Sequence, residues 1–376
     1  MIDISTIKKA AVKSVINFKG PKKAPKWVVI ESDDWGAVRT SSFNSFSRLK
    51  SKGYKVDACP FNKFDALESN SDMEALFETL DSVKGSDGNP ANITFNAVMT
   101  NPNFEAIKED DFNQYHYEHF FETLKKYPEH DKVEALYKEG IQSKFITPQF
   151  HGREHVHVLN WMKALRAGQK DILDAFEESM FTVHNPNLLT CKEFNLDAWG
   201  MHNEEDERII SEAISEGLGI FEQTFGFKSK SAIAACFSMT ESVERVLQES
   251  GVKHLQGAYT QDQLLPNGSG IKKVKHFMGE KNGKGQFFTI RNANFEPSIH
   301  PNTDWVNTVL QDVYWAFFWG KPAIINSHRL NFIGFLDEKN RTQNLAMLKE
   351  ILQKIVKQWP EVCFVSSDRL SELYDN

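Results

Sequence analysis

Cysteine is scarce in this chain, with 4 in 376 residues. Cys59, Cys191, Cys236 and Cys363 are scattered and form no CxxC pair, which excludes a ribbon-type thiolate zinc site and fits a reducing compartment better than a disulfide framework. No apolar run is long enough to span a bilayer, so no membrane span is expected. Basic excess is lacking too. The net charge is −7, whereas general affinity for nucleic-acid phosphates needs a basic face, so no nucleic-acid partner is expected. Residues 1–26 contain lysines but no continuous apolar stretch and no small-residue cleavage site. They read as a short amphipathic helix followed by a Gly/Pro/Lys linker, and a cytoplasmic location is the expectation. Beyond residue 27 there is no internal repeat, low-complexity segment or interdomain linker, so 27–376 is expected to be one domain.

What is present is an ordinary globular composition, 40% apolar and 25% charged. The 29 Phe, 8 Trp and 8 Tyr supply large apolar area, which by itself carries no function. Short apolar segments alternate with segments of helical period. Strands are expected at 27–30, 93–98, 144–148, 231–237, 252–259, 286–292, 322–327 and 362–366. Helices are expected at 73–83, 204–225, 241–250, 304–319 and 338–358, with one or two more in the crossover at 99–140 and two between 156 and 178. Met73, Leu76, Phe77 and Leu80 illustrate the period. A polar excursion (37–70), a loop at 181–203 and a Gly/Lys/Asn-rich turn at 267–285 interrupt the pattern. Strictly alternating strand and helix predicts an α/β fold, a distorted (β/α) barrel of about seven parallel strands with inserted loops and helices.

In such a barrel the chemistry sits at the C-terminal ends of the strands. Four predicted strand ends carry polar groups there. The first empties into Asp33 and Asp34, adjacent carboxylates that repel each other and are costly to bury without a cation. The third empties into His151 and His155, whose i,i+4 spacing across an expected helix start would put both imidazoles on one face and suit chelation. His157 is expected to face away. The sixth ends in Arg291 and Asn292, the seventh in His328. Taken singly, each has a plain alternative: a solvated Asp-Asp turn, surface or satisfied core histidines.

As an ordered set these segments resemble the NodB-like polysaccharide deacetylase family, carbohydrate esterases akin to family 4 among the glycoside hydrolase/deacetylase barrels. IESDDWG (30–36) is similar to the family's strand ending in two aspartates. HGREH (151–155) is similar to its His-x-x-x-His, and IINSH (324–328) to its last strand ending in His. The rhythm of 225–259 is similar to the family's middle region, and the resemblance runs from about residue 27 to the C-terminus.

The resemblance implies that Asp34, His151 and His155 hold a divalent metal, zinc by ligand type, with Co2+, Mn2+ or Ni2+ as alternatives. It implies Asp33 as general base and His328 as general acid in removing N- or O-linked acetyl groups from a polysaccharide, oligosaccharide or sugar derivative. The family's third motif, an Arg followed by prolines, is missing from AIAACFSM (232–239). Arg291 is the candidate to steady Asp33 in its place, with Arg153 as a second. Asn326 replaces the apolar residue expected two positions before the last His, and Glu31 and Trp35 replace smaller residues around the acidic pair. These departures keep two alternatives open: a metal-dependent amidohydrolase acting on a non-sugar amide, and a carbohydrate-binding pseudoenzyme. The oligomeric state is not legible.

Overall fold

Nine segments pair into one sheet in which every pairing is parallel. In chain order they are β1 (Trp27–Trp35), β2 (Ile93–Ala97), β3 (Ile146–Phe150), β4 (Ser231–Ala232), β5 (His254–Gly257), β6 (Phe287–Ile290), β7 (Ala293–Asn294), β8 (Ala323–His328) and β9 (Cys363–Phe364). The computed structural model describes residues 4–22, 24–184, 195–201, 203–265 and 270–374. The sheet order is β6-β5-β4-β3-β2-β1-β8-β7, with β9 against the first two residues of β1. Its two edges, β6 and β7, are successive halves of one chain segment separated only by Arg291 and Asn292. The sheet therefore curls back on itself as a distorted (β/α) barrel.

Side chains alternate across each strand, and the barrel is sorted by that alternation. On the outer face Val28, Ile30, Ile93, Phe95 and Ile325 join the main core, where Trp35 stacks on Phe95 at 3.5 Å between ring centroids. On the other face Val29, Phe287 and Ile324 form a smaller apolar layer, closed by Leu370 and Tyr374 near the C-terminus. Next along β1 on that face come Glu31 and Asp33. All nine residues of β1 are buried, as expected for a strand covered on both sides.

Helices follow the expected period. Asn70–Asp81 opens on a Ser69/Asp72 capping box and buries Met73, Leu76, Phe77 and Leu80. Glu204–Phe225 has four acids in its first turn and stops at Gly226, whose φ is +78°. The N-terminal helix Ile4–Phe18 docks on the barrel. Lys13 pairs with Asp312 of helix Trp305–Phe318, and Asn17 accepts a hydrogen bond from Asn292 at 2.8 Å. No helix among the described residues is long and apolar enough to cross a membrane.

Three expectations need correction. The first strand stops at Trp35, as its Trp35-Gly36 end suggests, but the acids lie within the strand and not in a turn after it, with Asp34 (φ +76°) forming a bulge that shifts the register against β2. The strand expected at 231–237 pairs only at Ser231–Ala232. Cys236 and Phe237 then take left-handed backbone (φ +58° and +54°) and turn toward the barrel mouth. The turn at 267–285 contains a strand, Ile271–Lys275, antiparallel to Thr260–Leu264. Residues 185–194 of the expected loop, which include Cys191, and 266–269 beside that turn lie outside the described residues.

Candidate metal centre

The bulge at Asp34 decides the geometry of the mouth. Regular alternation would send Asp33 inward and Asp34 outward, whereas the extra residue re-aims Asp34 so that both carboxylates line one cavity. That cavity, of about 350 Å³, lies at the C-terminal ends of the strands and is also lined by His151, His155 and His328.

His151 and His155 reach it from a loop, not from a helix start. Residues 151–157 are non-helical and the next helix begins at Val158. Gly152 makes this loop feasible, since its φ is +124° and a Cβ would meet Glu154 O at 2.9 Å. The loop is pinned where Thr100 N–H donates to Arg153 O at 2.6 Å. His157 faces away and caps the following helix, with Nε2 against Gly200 O at 2.8 Å.

Asp34, His151 and His155 each offer a ligand atom, and these atoms lie within 4.8 Å of one another. Nε2 of His151 and of His155 are 3.4 and 3.1 Å from Asp34 Oδ1. Donors about 2.1 Å from one tetrahedral ion stand about 3.4 Å apart, so the spacing fits a shared cation. His151 Nδ1 meets Ile233 O at 3.0 Å. As a carbonyl only accepts, that contact puts the ring proton on Nδ1 and leaves a lone pair on Nε2, which is buried without a hydrogen-bond partner. Burial keeps the His155 pKa below its ordinary value, against the pull of Asp34, which preserves a neutral imidazole for ligation. Burial alone would raise the Asp34 pKa, but the Arg39 charge and the two imidazoles hold it well below the usual range. Two nitrogen donors and one carboxylate, with an orphaned buried nitrogen among them, fit a divalent ion of the zinc type.

Asp33 is held differently. Arg291 places Nη1 on Asp33 Oδ2 and Nη2 on Oδ1, both at 2.7 Å, and turns Nε to Glu31 Oε2 at 2.7 Å. Asn96 donates to Asp33 Oδ1 at 2.8 Å and exchanges amide hydrogen bonds with Gln256. Burial would raise the Asp33 pKa, and the Arg291 charge and hydrogen bonds bring it down to about 2. Of the two arginines considered for this position, Arg291 makes the contact. Arg153 is committed to Glu154 and Glu216. Asn326 adds no apolar pocket, because its Oδ1 accepts from Arg291 at 2.6 Å.

The parallel register of β1 and β8 sets Asp33 beside His328. Nδ1 of His328 lies 2.7 Å from Glu296 Oε1. Although burial lowers its pKa, the Glu296 charge and hydrogen bond raise it to about 10, which favours the protonated ring.

Sequence reasoning missed Asn96, Gln256 and Arg39. Asn96 and Gln256 are polar residues near strand ends, a signal visible in hindsight. Arg39, inside the polar excursion, offered none. It reaches Asp34 Oδ2 at 3.1 Å, lies 3.4 Å from Asp65, and is flanked by the rings of Phe61 and Phe181.

No family model and no curated protein matches the chain. Solved structures do, along nearly the whole chain. An allantoinase (PuuE) shares 11% identity over 94% of this chain and 93% of its own, with a TM-score of 0.44. A family 4 carbohydrate esterase from Streptomyces lividans, in complex with acetate, shares 9% over 90% and 92%, with a TM-score of 0.36. A family 4 acetyl xylan esterase from Clostridium thermocellum, in complex with a cobalt ion, shares 10% over 93% and 91%, with a TM-score of 0.37. These likenesses are distant.

Proposed function

We propose that the chain is a metal-dependent hydrolase of an amide or ester bond, with an acetylated sugar derivative as its substrate class. The observation that carries this reading is the convergence of Asp34, His151 and His155 beside an Arg291-clamped Asp33 and a protonated His328. The acetyl and sugar elements rest on the sequence resemblance. A divalent ion held by Asp34, His151 and His155 would supply Lewis acidity and lower the pKa of water at the site.

Asp33 is the base that takes the proton of the attacking water. Its Oδ1 already accepts from Asn96 and Arg291, whereas Oδ2 accepts only from Arg291. Oδ2 is therefore the atom with a lone pair left for the proton. His328 gives its proton to the departing amine or alkoxide, and Glu296 holds its ring in orientation throughout. Arg291 keeps Asp33 ionised and directs its free lone pair. Phe61, Phe181 and Phe237 supply apolar wall to the cavity.

Those apolar walls also favour a second reading, a non-sugar amide or ester: phenylalanine rings can stack on the C–H face of a sugar but offer no hydrogen-bond partner to the hydroxyls around its rim. The Arg291 contact with Asp33 supports the hydrolase over the pseudoenzyme alternative, which supposes that the supporting arginine is lost. The test is metal analysis of the wild type beside His151→Ala, followed by acetate release from N-acetylated amino sugars and from N-acetylated aryl amines. About one equivalent of metal, lost in the variant, with turnover of either substrate supports the hydrolase. A wild type that holds no metal after reloading refutes it. The preferred substrate decides between the sugar and non-sugar readings.

A further inference from the structure

At the opposite end of the barrel lies a second and larger cavity, of about 710 Å³, within the usual range for small-molecule sites. It opens where the strands begin. Ile146 starts β3, while Lys230 and Lys253 directly precede β4 and β5. Its lining includes Lys144, Lys228, Lys230, Lys253 and Arg369, against a single carboxylate, Asp368. This concentration of positive charge stands out in a chain of net charge −7.

Only part of that charge is neutralised. Arg369 is held by Glu372, and Lys144 Nζ donates to the neutral Asn89 at 3.0 Å. Lys228, Lys230 and Lys253 are exposed and have no ion-pair partner among the described residues. Their placement follows from the topology. Lys253 N–H donates to Lys230 O at 2.7 Å, so two lysines are locked side by side at adjacent strand starts. Phe227 and Phe364 add apolar surface to the lining. Like charges gathered in a concave site focus the potential there and raise the local concentration of an anion.

We propose that this cavity is a binding site for a phosphate-bearing anion, with Lys228, Lys230 and Lys253 as its receptor. A cavity lined by both lysines and apolar side chains suits a soluble phosphate ester with an apolar body, and a lipid headgroup presents the same chemistry. The site is independent of the hydrolase reading, since no residue of the metal centre lines it.

The experiment titrates pyrophosphate into the full-length protein at low salt by calorimetry. The wild type is compared with Lys230→Gln, Lys253→Gln, the double Lys230→Glu/Lys253→Glu, and His151→Ala. Each single lysine variant is expected to weaken binding about tenfold. The double variant should abolish it, and His151→Ala should bind like the wild type. Because these lysines are exposed, circular dichroism of the variants should match the wild type. Cosedimentation with phosphatidylglycerol vesicles, lost in the double variant, identifies a lipid headgroup as the source. Pyrophosphate binding without cosedimentation identifies a soluble phosphate ester. Absence of binding in both arms, or binding that survives the lysine variants but not His151→Ala, overturns the proposal.

Discussion

Replacing Arg291 by Met should expose how much the barrel depends on one buried cation. Its side chain is 2% exposed and pairs with Glu31 (0% exposed) and Asp33 (5% exposed). Removing the guanidinium leaves Glu31 without a counter-charge and Asp33 with only the weaker pull of His328, and breaking a buried pair in this way costs about 3–5 kcal/mol. That is a large share of a total stability of about 5–15 kcal/mol.

The variant can lower the cost by protonating Glu31. Burial already raises the Glu31 pKa, and Arg291 is the main group opposing it, so the substitution pushes it further up. A folded state that holds a proton the unfolded state releases loses stability as pH rises between the unfolded and folded pKa values. The deficit should therefore be larger at about pH 8 than at about pH 5. Neutralising the partner, as in Glu31→Gln/Arg291→Met, should recover about 1–3 kcal/mol relative to Arg291→Met alone. Guanidinium unfolding followed by tryptophan fluorescence, with excess chelator to remove metal linkage, measures the wild type, Arg291→Met, Glu31→Gln and the double variant. A cost under about 1 kcal/mol at pH 8, or strictly additive effects of the two substitutions, would refute the reasoning.

Asp33→Asn should retain metal and lose about 10²–10⁴-fold in turnover; metal loss on elemental analysis would exchange the assignments of Asp33 and Asp34. His328→Gln should slow turnover to a similar degree and leave metal content unchanged, and an unaltered rate would remove His328 from the mechanism. Glu296→Gln should lower the His328 pKa from about 10, so the loss of rate on the alkaline side begins at lower pH in a pH–rate profile. His254 supplies an acid-stability test. Burial, aided by Lys230, lowers its pKa from 6.5 to about 3. The unfolded chain therefore binds the extra proton between those values, and stability falls as pH drops through that window, by up to about 4 kcal/mol. His254→Leu should flatten that acid limb in thermal melts, and an unchanged slope would exclude His254 as its source.

The metal-binding residue types were legible because each motif is local. Asp33 and Asp34 are consecutive, His151 and His155 are four apart, and each follows a recognisable apolar strand. The backbone that aims them was less legible. Nothing in WVVIESDDW announces a bulge at Asp34, and the i,i+4 histidines meet through a glycine-containing loop, not along a helix face. The supporting residues were least legible. Arg291 lies 258 residues from Asp33, Asn96 and Gln256 are isolated polar residues on separate strands, and Arg39 sits in a segment with no strand or helix period.

By itself the sequence determined the alternation of strand and helix, the outer core positions and the helix ends, because these depend on side-chain periodicity and on caps within a few residues. Only the tertiary structure decided which charges share the barrel interior. The parallel register sets Asp33 beside His328, and the curl of the sheet brings the β6–β7 segment against β8 and Arg291 onto Glu31 and Asp33. A buried carboxylate is tolerated only where a counter-charge reaches it, and that reach is set by pairings between strands far apart in the chain.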